Sequence, residues 1–334
     1  MTGGCHYTAG CTNYQDSCKA CPQLAEDPHD VASRSLEDQR RLYDAARLTI
    51  VGPSRWIAQC ALRSRVFCDS DVRVIHSGIE ESLFTPGSRH PLRTKLGISP
   101  SVRVLLFGAD NPFERRKGLS VLASALAQCH DNPGFRCQLS SGEVVIMAFG
   151  PSVEGVFPAD LPIRFLGYIS DDRELVDVYR AADLFILPSL EDNMPNTILE
   201  AMSCGIPVVA FDVGGIPDMV TDGLNGRLTE AGNTEQLSKL MLDLINAPQD
   251  LEEFGKRARQ EVESRFCLTH QAHAYVQLYA ELLARSAKVS ARADHRASSR
   301  VETLFLPLLM RSARCIPRRL ARRARRMFQR RAPR

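Results

Sequence analysis

The sequence predicts an α/β protein whose central part is a doubly wound parallel sheet, and three observations predict it. Between residues 102 and 230, short continuous apolar runs alternate with segments of helical pattern. The runs are apolar at every position, as strands covered on both faces must be. Each run also ends in a loop rich in glycine, proline or ionisable residues, and ligands of such sheets bind at the carboxyl ends of the strands. The strands are expected at 102–108, 144–150, 163–167, 184–188 and 207–212, with helices at 117–129, 172–181 and 196–204 between and after them. Upstream, 48–51 and 72–76 read as two more strands around a helix starting near Arg55 and Trp56. Residues 234–286 have the pattern of two or three helices, and 287–300 are polar and linker-like.

Composition narrows the class. A chain of 334 residues with 44% hydrophobic and 24% charged residues has the balance of an ordinary globular protein. Eleven scattered cysteines, with no secretory leader before them, fit a reducing cytoplasm better than a disulfide scaffold. The longest lipid-compatible run, 304–310, is far below the roughly 20 residues of a spanning helix. Strands here are not followed by Gly-x-Gly-x-x-Gly, which disfavours a nicotinamide dehydrogenase. The net charge of +3 conceals an uneven distribution: residues 311–334 carry eleven arginines and no acid, and subtracting those eleven leaves −8 on the remainder. Apolar residues interleave with these arginines, the composition of a segment that lies on an anionic membrane surface. A solvated basic tail is the plainer alternative and a nucleic-acid arm the less favoured one, so no nucleic acid is expected as a partner.

The most informative stretch is Glu191-Asp192-Asn193-Met194-Pro195-Asn196-Thr197-Ile198-Leu199-Glu200. A strand breaks into an acidic loop, and a helix restarts with Pro195 near its first turn, where a missing N–H does no harm. The amides of Asn196 and Thr197 would then point out of the helix N-terminus, towards a phosphate. Glu200, an acid on an otherwise apolar helix, suits a vicinal diol such as a ribose, because a carboxylate accepts from two neighbouring hydroxyls. Lys117, in Glu114-Arg115-Arg116-Lys117-Gly118, follows an earlier strand at the start of a helix and suits a diphosphate whose charge grows as a bond to it breaks. Gly150-Pro151 and Gly167-Tyr168 end two further strands, where a glycine lets a ligand approach the backbone; ordinary turns explain them equally well. Asp183 reads as a helix-to-strand junction, Gly214-Gly215-Ile216-Pro217-Asp218 as mainly structural, and His76 and His270 as packed or surface residues. Cys5, Cys11, Cys18 and Cys21 could hold a structural zinc as four thiolates, with free or loosely paired thiols as the alternative. His6 could face a cleft.

These motifs resemble the donor-binding half of the family 4 glycosyltransferases, retaining enzymes with the GT-B fold. The resemblance spans roughly residues 1–285. It includes the acid pair, the Ser77-Gly78-Ile79-Glu80 turn followed by Phe84-x-Pro86, and Gly214-Gly215-x-Pro217-Asp218, with Ser77, Glu80 and Asp218 in place of the family's usual Asn, Asp and Glu. The resemblance implies a GT-B arrangement with one complete Rossmann-like donor lobe and a remnant of the first lobe. Residues 1–85 would be that remnant, 86–268 the nucleotide-sugar lobe, 269–286 a crossover helix and 287–334 linker and Arg-rich tail. About a hundred residues of the first lobe would then be lacking.

The resemblance further implies a hexosyltransferase that uses a nucleoside diphosphate sugar, needs no metal for catalysis, and acts on a lipid-linked saccharide in surface polysaccharide assembly. Such a protein would work in the cytoplasm, peripherally on the inner face of the membrane. Glu200 would hold the ribose, Lys117 with Arg116 (or Arg115) the diphosphate, the Asn196 and Thr197 amides the phosphate side, and the Gly167-Tyr168 loop would lie near the base. The family's first acid is Glu: either Asp192 replaces it, at the family's spacing from Glu200, or the loop carries one extra residue and Glu191 serves. The second reading is the one favoured for chemistry. Two rivals differ in class: a lobe that binds nucleotide sugar without transferring it, and a GT-B nucleotide-sugar epimerase.

Overall fold

Alternate side chains of each central strand go to opposite faces of one sheet, and that alternation builds the core. Val104 and Leu106 enter one apolar layer while Leu105 and Phe107 enter the other; Phe185 and Leu187 part from Leu184 and Ile186 in the same way. The strands therefore read as unbroken apolar runs because both faces are covered. The computed structural model describes residues 1–44, 46, 48–108, 114–151 and 155–293. Residues 1–275 form one compact unit, and a second unit begins at Val276.

The first elements are helix α1 (Val31–Asp44), strand β1 (Thr49–Gly52), helix α2 (Arg55–Arg63) and strand β2 (Asp71–Val74). Strands β1 and β2 pair in parallel with α2 as their crossover. Ser54 caps α2, its hydroxyl accepting from the Ile57 amide at 3.2 Å. A short helix α3 (His90–Lys95) then precedes the main sheet. Its Arg93 is buried and donates to Asp183 at 2.7 Å and to the carbonyl oxygens of Ala181 and Val102 at 2.9 and 2.7 Å. Asp183 also accepts from the Val104 amide at 2.8 Å, so it is the structural junction that its position suggested.

The sheet region comprises β3 (Arg103–Gly108), α4 (Leu119–Asp131), α5 (Pro133–Ser141), β4 (Val144–Phe149), β5 (Ile163–Phe165), α6 (Asp172–Ala181), β6 (Leu184–Leu187), α7 (Asn196–Ser203), β7 (Val208–Phe211) and β8 (Gly226–Thr229). Helices α8 (Thr234–Ile245), α9 (Pro248–Arg265) and α10 (Leu268–Ala293) close the described chain. Six strands, all parallel, lie in the order β5-β4-β3-β6-β7-β8. The chain winds outward from β3 to β5, returns to β6 beside β3, and then winds the other way. That reversal is the topological switch point, where the loops after β3 and β6 part and leave a crevice.

Among the described residues, four α-helices or strands escape the sequence reading: α1, α3, α5 and β8. Helix α4 also starts at Leu119, two residues later than expected, because Gly118 takes a left-handed conformation (φ +66°) and Arg115–Lys117 form a separate single turn. Lys117 therefore sits on a tight turn. Helix α10 continues to Ala293, into the stretch that its polarity marked as linker; the Ala, Lys and Arg content there favours helix. None of the described helices is long and apolar enough to cross a membrane. The Arg-rich stretch 311–334 lies outside the described residues.

Candidate active site

The two loops of the switch point are fastened to each other by their backbones. The Leu190 amide donates to the Arg116 carbonyl at 2.7 Å, and a Cβ on Gly118 would meet the Pro188 carbonyl oxygen at 1.8 Å. Only glycine permits both this approach and the positive φ. The turn that carries Arg116 and Lys117 is thus held against the loop that carries the acids.

Their charges converge. Lys117 Nζ donates to Asp192 Oδ2 at 2.7 Å, and Arg116 approaches the same oxygen at 3.5 Å. The Ser189 hydroxyl donates to it at 3.3 Å, while Asp192 Oδ1 accepts from the Asn193 amide at 3.0 Å. Asp192 is buried. Arg116 also makes two 2.9 Å bonds to Glu114, which fix its guanidinium plane. Glu191 faces elsewhere: its carboxylate accepts from the Thr8 amide at 3.2 Å and the Thr8 hydroxyl at 3.3 Å. The structure therefore brings Asp192, Lys117 and Arg116 together and turns Glu191 towards the N-terminal segment.

Behind the acid loop, helix α7 begins at Asn196 with Pro195 as its cap residue. The Ile198 amide makes the first backward bond, to the Pro195 carbonyl at 3.2 Å, so the Asn196 and Thr197 amides precede the ladder at its open end. Glu200, one turn in, accepts from the Tyr179 hydroxyl at 2.9 Å. The Tyr179 ring is wholly buried among Phe84, Phe149 and Phe185. Beside Lys117 lies a small cavity of about 30 Å³, walled by Phe149, Phe165, Pro188 and Ser189 among others. The loops after β4 and β5 rim this region: the Gly150 amide donates to the Gly167 carbonyl at 2.9 Å, and Gly167 has φ +76°. Tyr168 is more than half exposed.

Support comes from the glycine loop that the sequence marked as mainly structural and from residues, Ser54 and Tyr7 among them, that sequence reasoning passed over. A Cβ on Gly214 would meet the Asp192 carbonyl oxygen at 1.8 Å, and one on Gly215 would meet that of Asn193 at 1.8 Å. The Ser54 hydroxyl reaches Asn193 at 2.5 Å, and Asp218 accepts from the Arg55 amide and Nε at 2.6 and 2.7 Å. The start of α2 is thereby tied to the acid loop and to the glycine loop; the sole sequence signal was a Ser before a helix. Arg116 stacks 3.8 Å above the Tyr7 ring. Burial, assisted by the Asp192 charge, pushes the Tyr7 phenol above its ordinary range. His76 is packed, its Nδ1 3.0 Å from the Pro53 carbonyl oxygen and its ring against Phe266. His270 Nδ1 lies 2.6 Å from Cys267 Sγ.

The zinc expectation fails. Cys5, Cys11, Cys18 and Cys21 are free thiols, and among the described residues no group of three or more His, Cys, Asp or Glu side chains is placed to hold a metal ion. Cys18 instead joins Tyr14, Leu36 and Val66 in a small apolar core, with Cys21 packed against it. Burial raises the Cys18 thiol, which favours the protonated form over the thiolate a metal needs.

A parallel doubly wound domain with a cation–carboxylate cluster at its switch point belongs to the class of α/β domains that bind ligands at the carboxyl ends of their strands. The comparisons make the class specific: residues 102–247 form a domain that matches the family described as glycosyl transferases group 1, and the fold is of the GT-B type. It is 30% identical to the D-inositol 3-phosphate glycosyltransferase of Mycolicibacterium smegmatis over 244 residues, covering 68% of this chain and 52% of that protein. It is 35% identical to the enzyme of that name from Actinosynnema mirum over 190 residues, 53% of this chain and 44% of that protein. The chain thus spans about half the length of the curated relatives it matches. Among solved structures, it is similar in fold to sucrose-phosphate synthase from Thermosynechococcus elongatus (TM-score 0.63, 24% identity, 79% of this chain and 65% of that one). It is also similar to Anabaena HepE, solved with UDP-glucose (TM-score 0.60, 23% identity, 74% of this chain and 68% of that one).

Proposed function

We propose that this chain binds a nucleoside diphosphate sugar at the switch point and transfers its hexose with retention of configuration. The observation that carries the reading is the convergence of Lys117 and Arg116 on the buried Asp192, beside the open N-terminus of α7 and one turn from Glu200. In this reading the diphosphate sits on Lys117, Arg116 and the amides of Asn196 and Thr197, and Glu200 accepts from the two ribose hydroxyls. The bond between the anomeric carbon and the phosphate oxygen breaks, the acceptor oxygen attacks on the same face, and the departing phosphate takes the acceptor's proton. The two cations and the helix amides stabilise the charge that develops on the leaving group. We assign the first acid to Asp192, since Glu191 is engaged by Thr8, and give Asp192 the orientation of donor-sugar hydroxyls. The Gly167-Tyr168 loop lies on the base side. The names of the relatives support transfer from a sugar donor, and HepE was solved with UDP-glucose.

The acceptor class we infer is a lipid-linked saccharide in surface polysaccharide assembly, with the eleven arginines of 311–334 holding the protein on the inner, anionic face of the cytoplasmic membrane. The test of the site is calorimetric titration with UDP and GDP. Glu200→Ala is expected to reduce affinity for the bound nucleotide by more than tenfold, since a carboxylate bonded to two hydroxyls is worth about 1.5–3 kcal/mol or more. Unchanged affinity removes the ribose assignment. Nucleotide binding without any transfer to lipid-linked saccharides would favour a non-catalytic binding lobe, and interconversion of the free nucleotide sugar would favour an epimerase.

A further inference from the structure

Two consecutive residues of the N-terminal segment touch the two loops of the candidate site. The Tyr7 ring lies 3.8 Å under the Arg116 guanidinium, and the Thr8 amide and hydroxyl both donate to Glu191. This segment is 183 positions from Glu191 in sequence, so the contact is a product of folding and carries no local signal.

Resting on the function proposed above, we infer that the Tyr7–Thr8 pair belongs to the donor site as positioning residues: Tyr7 holds Arg116 for the diphosphate and Thr8 keeps Glu191 out of it. The cation is otherwise free to follow its acids. Arg116 is bonded to Glu114 on one side and leans on Asp192 on the other, both anions that a diphosphate must compete with or lie beside. An aromatic face attracts a guanidinium without neutralising it, so stacking fixes the plane and leaves the N–H fork available to phosphate oxygens. The raised Tyr7 phenol stays neutral, so the ring adds no negative charge beside the diphosphate. Thr8 completes the arrangement. A carboxylate at Glu191 swung towards Lys117 would put a second anion where the phosphates are proposed to lie, and two donors from Thr8 hold it away.

The experiment titrates the full 334-residue chain with UDP and with GDP. Tyr7→Ala is expected to weaken binding of the recognised nucleotide about fivefold, as loss of a partly buried cation–π contact should. Tyr7→Phe, which keeps the ring face, should stay within about twofold of the parent. A role in folding alone is distinguished by the Arg116→Ala background: there Tyr7→Ala should have no additional effect, because its partner is already gone. Equal affinity of Tyr7→Ala and the parent overturns the inference, as does a fivefold loss that persists in the Arg116→Ala background. If those results come while Glu200→Ala still weakens binding more than tenfold, the donor site stands and only the Tyr7 assignment falls. If the parent chain binds neither nucleotide, the underlying reading fails and this inference with it.

Discussion

Each charged residue of the site is held by a neighbour of different chemistry. Asp192 is buried and would be costly to keep ionised alone; Lys117, Arg116, the Ser189 hydroxyl and the Asn193 amide share it. Glu200 is steadied by Tyr179, whose ring packs against three phenylalanines and whose hydroxyl donates to it. Tyr179→Phe keeps the packing and removes that donor. It should lower stability by about 1–2 kcal/mol, as loss of a hydrogen bond to a carboxylate does. If Glu200 binds ribose, nucleotide affinity should also fall severalfold. Urea denaturation and calorimetry read the two effects separately; a variant identical to the parent in both would show that the hydroxyl does not position Glu200.

At the scale of elements, the site is made by backbone approaches that only glycine allows. Gly118 lets the cationic turn reach the Pro188 carbonyl, and Gly214 and Gly215 let the loop after β7 reach the backbone of Asp192 and Asn193. The glycine loop was read as mainly structural, and its observed contacts are of that kind; the surprise is which loop it supports. Gly214→Ala places a Cβ 1.8 Å from the Asp192 carbonyl oxygen on a backbone with φ +57°. Neither partner can give way cheaply, since both are main chain. We expect the unfolding free energy read from urea denaturation to fall by about 2–4 kcal/mol, with a loss of nucleotide affinity through displacement of Asp192. Pro217→Ala, three residues from the contact that matters, serves as the comparison and should leave affinity nearly intact.

For the whole molecule, two buried thiols lie in the opposed layers of the sheet. Burial pushes Cys129 up to about 11 and Cys204 up to about 12, from an ordinary 9.0. Below pH 9 both are protonated in the folded and unfolded chains and contribute no pH dependence. Above it the unfolded chain releases its protons first, while the native chain retains them until 11 and 12. Stability present below pH 9 is therefore lost as pH rises through that window, by at most about 1.4 kcal/mol per pH unit for each thiol. Urea midpoints at pH 8 and pH 10.5 should show the decline, and a midpoint that held constant would contradict it. The remaining long-range ties are also between sequence-distant parts: Ile79 pairs with Cys267, its amide donating to the Phe266 carbonyl at 2.8 Å, and its carbonyl accepting from the Leu268 amide at 3.0 Å.

The sheet strands, their parallel sense and the identity of Lys117, Asp192 and Glu200 as candidates were determined by the sequence itself. Apolar runs need two covered faces, and an acid or cation at a strand end needs a partner or a ligand; both are local statements about solvation. The segments that escaped reading have weaker local signals. Helix α1 is mostly polar, α3 has six residues, and β8 is a Gly-Arg-Leu-Thr strand at the sheet edge. What tertiary structure alone decided is the choice among residues that look alike in the chain. Glu191 and Asp192 are adjacent acids, yet one accepts from Thr8 and the other from Lys117. Cys5, Cys11, Cys18 and Cys21 have a metal-like pattern, yet Cys18 is drawn into an apolar core with Tyr14 and Leu36. The physical reason is the same in both cases: spacing along a chain fixes which groups are available, but their partners are set by tertiary packing, which for Glu191 reaches across 183 positions and which no local pattern encodes.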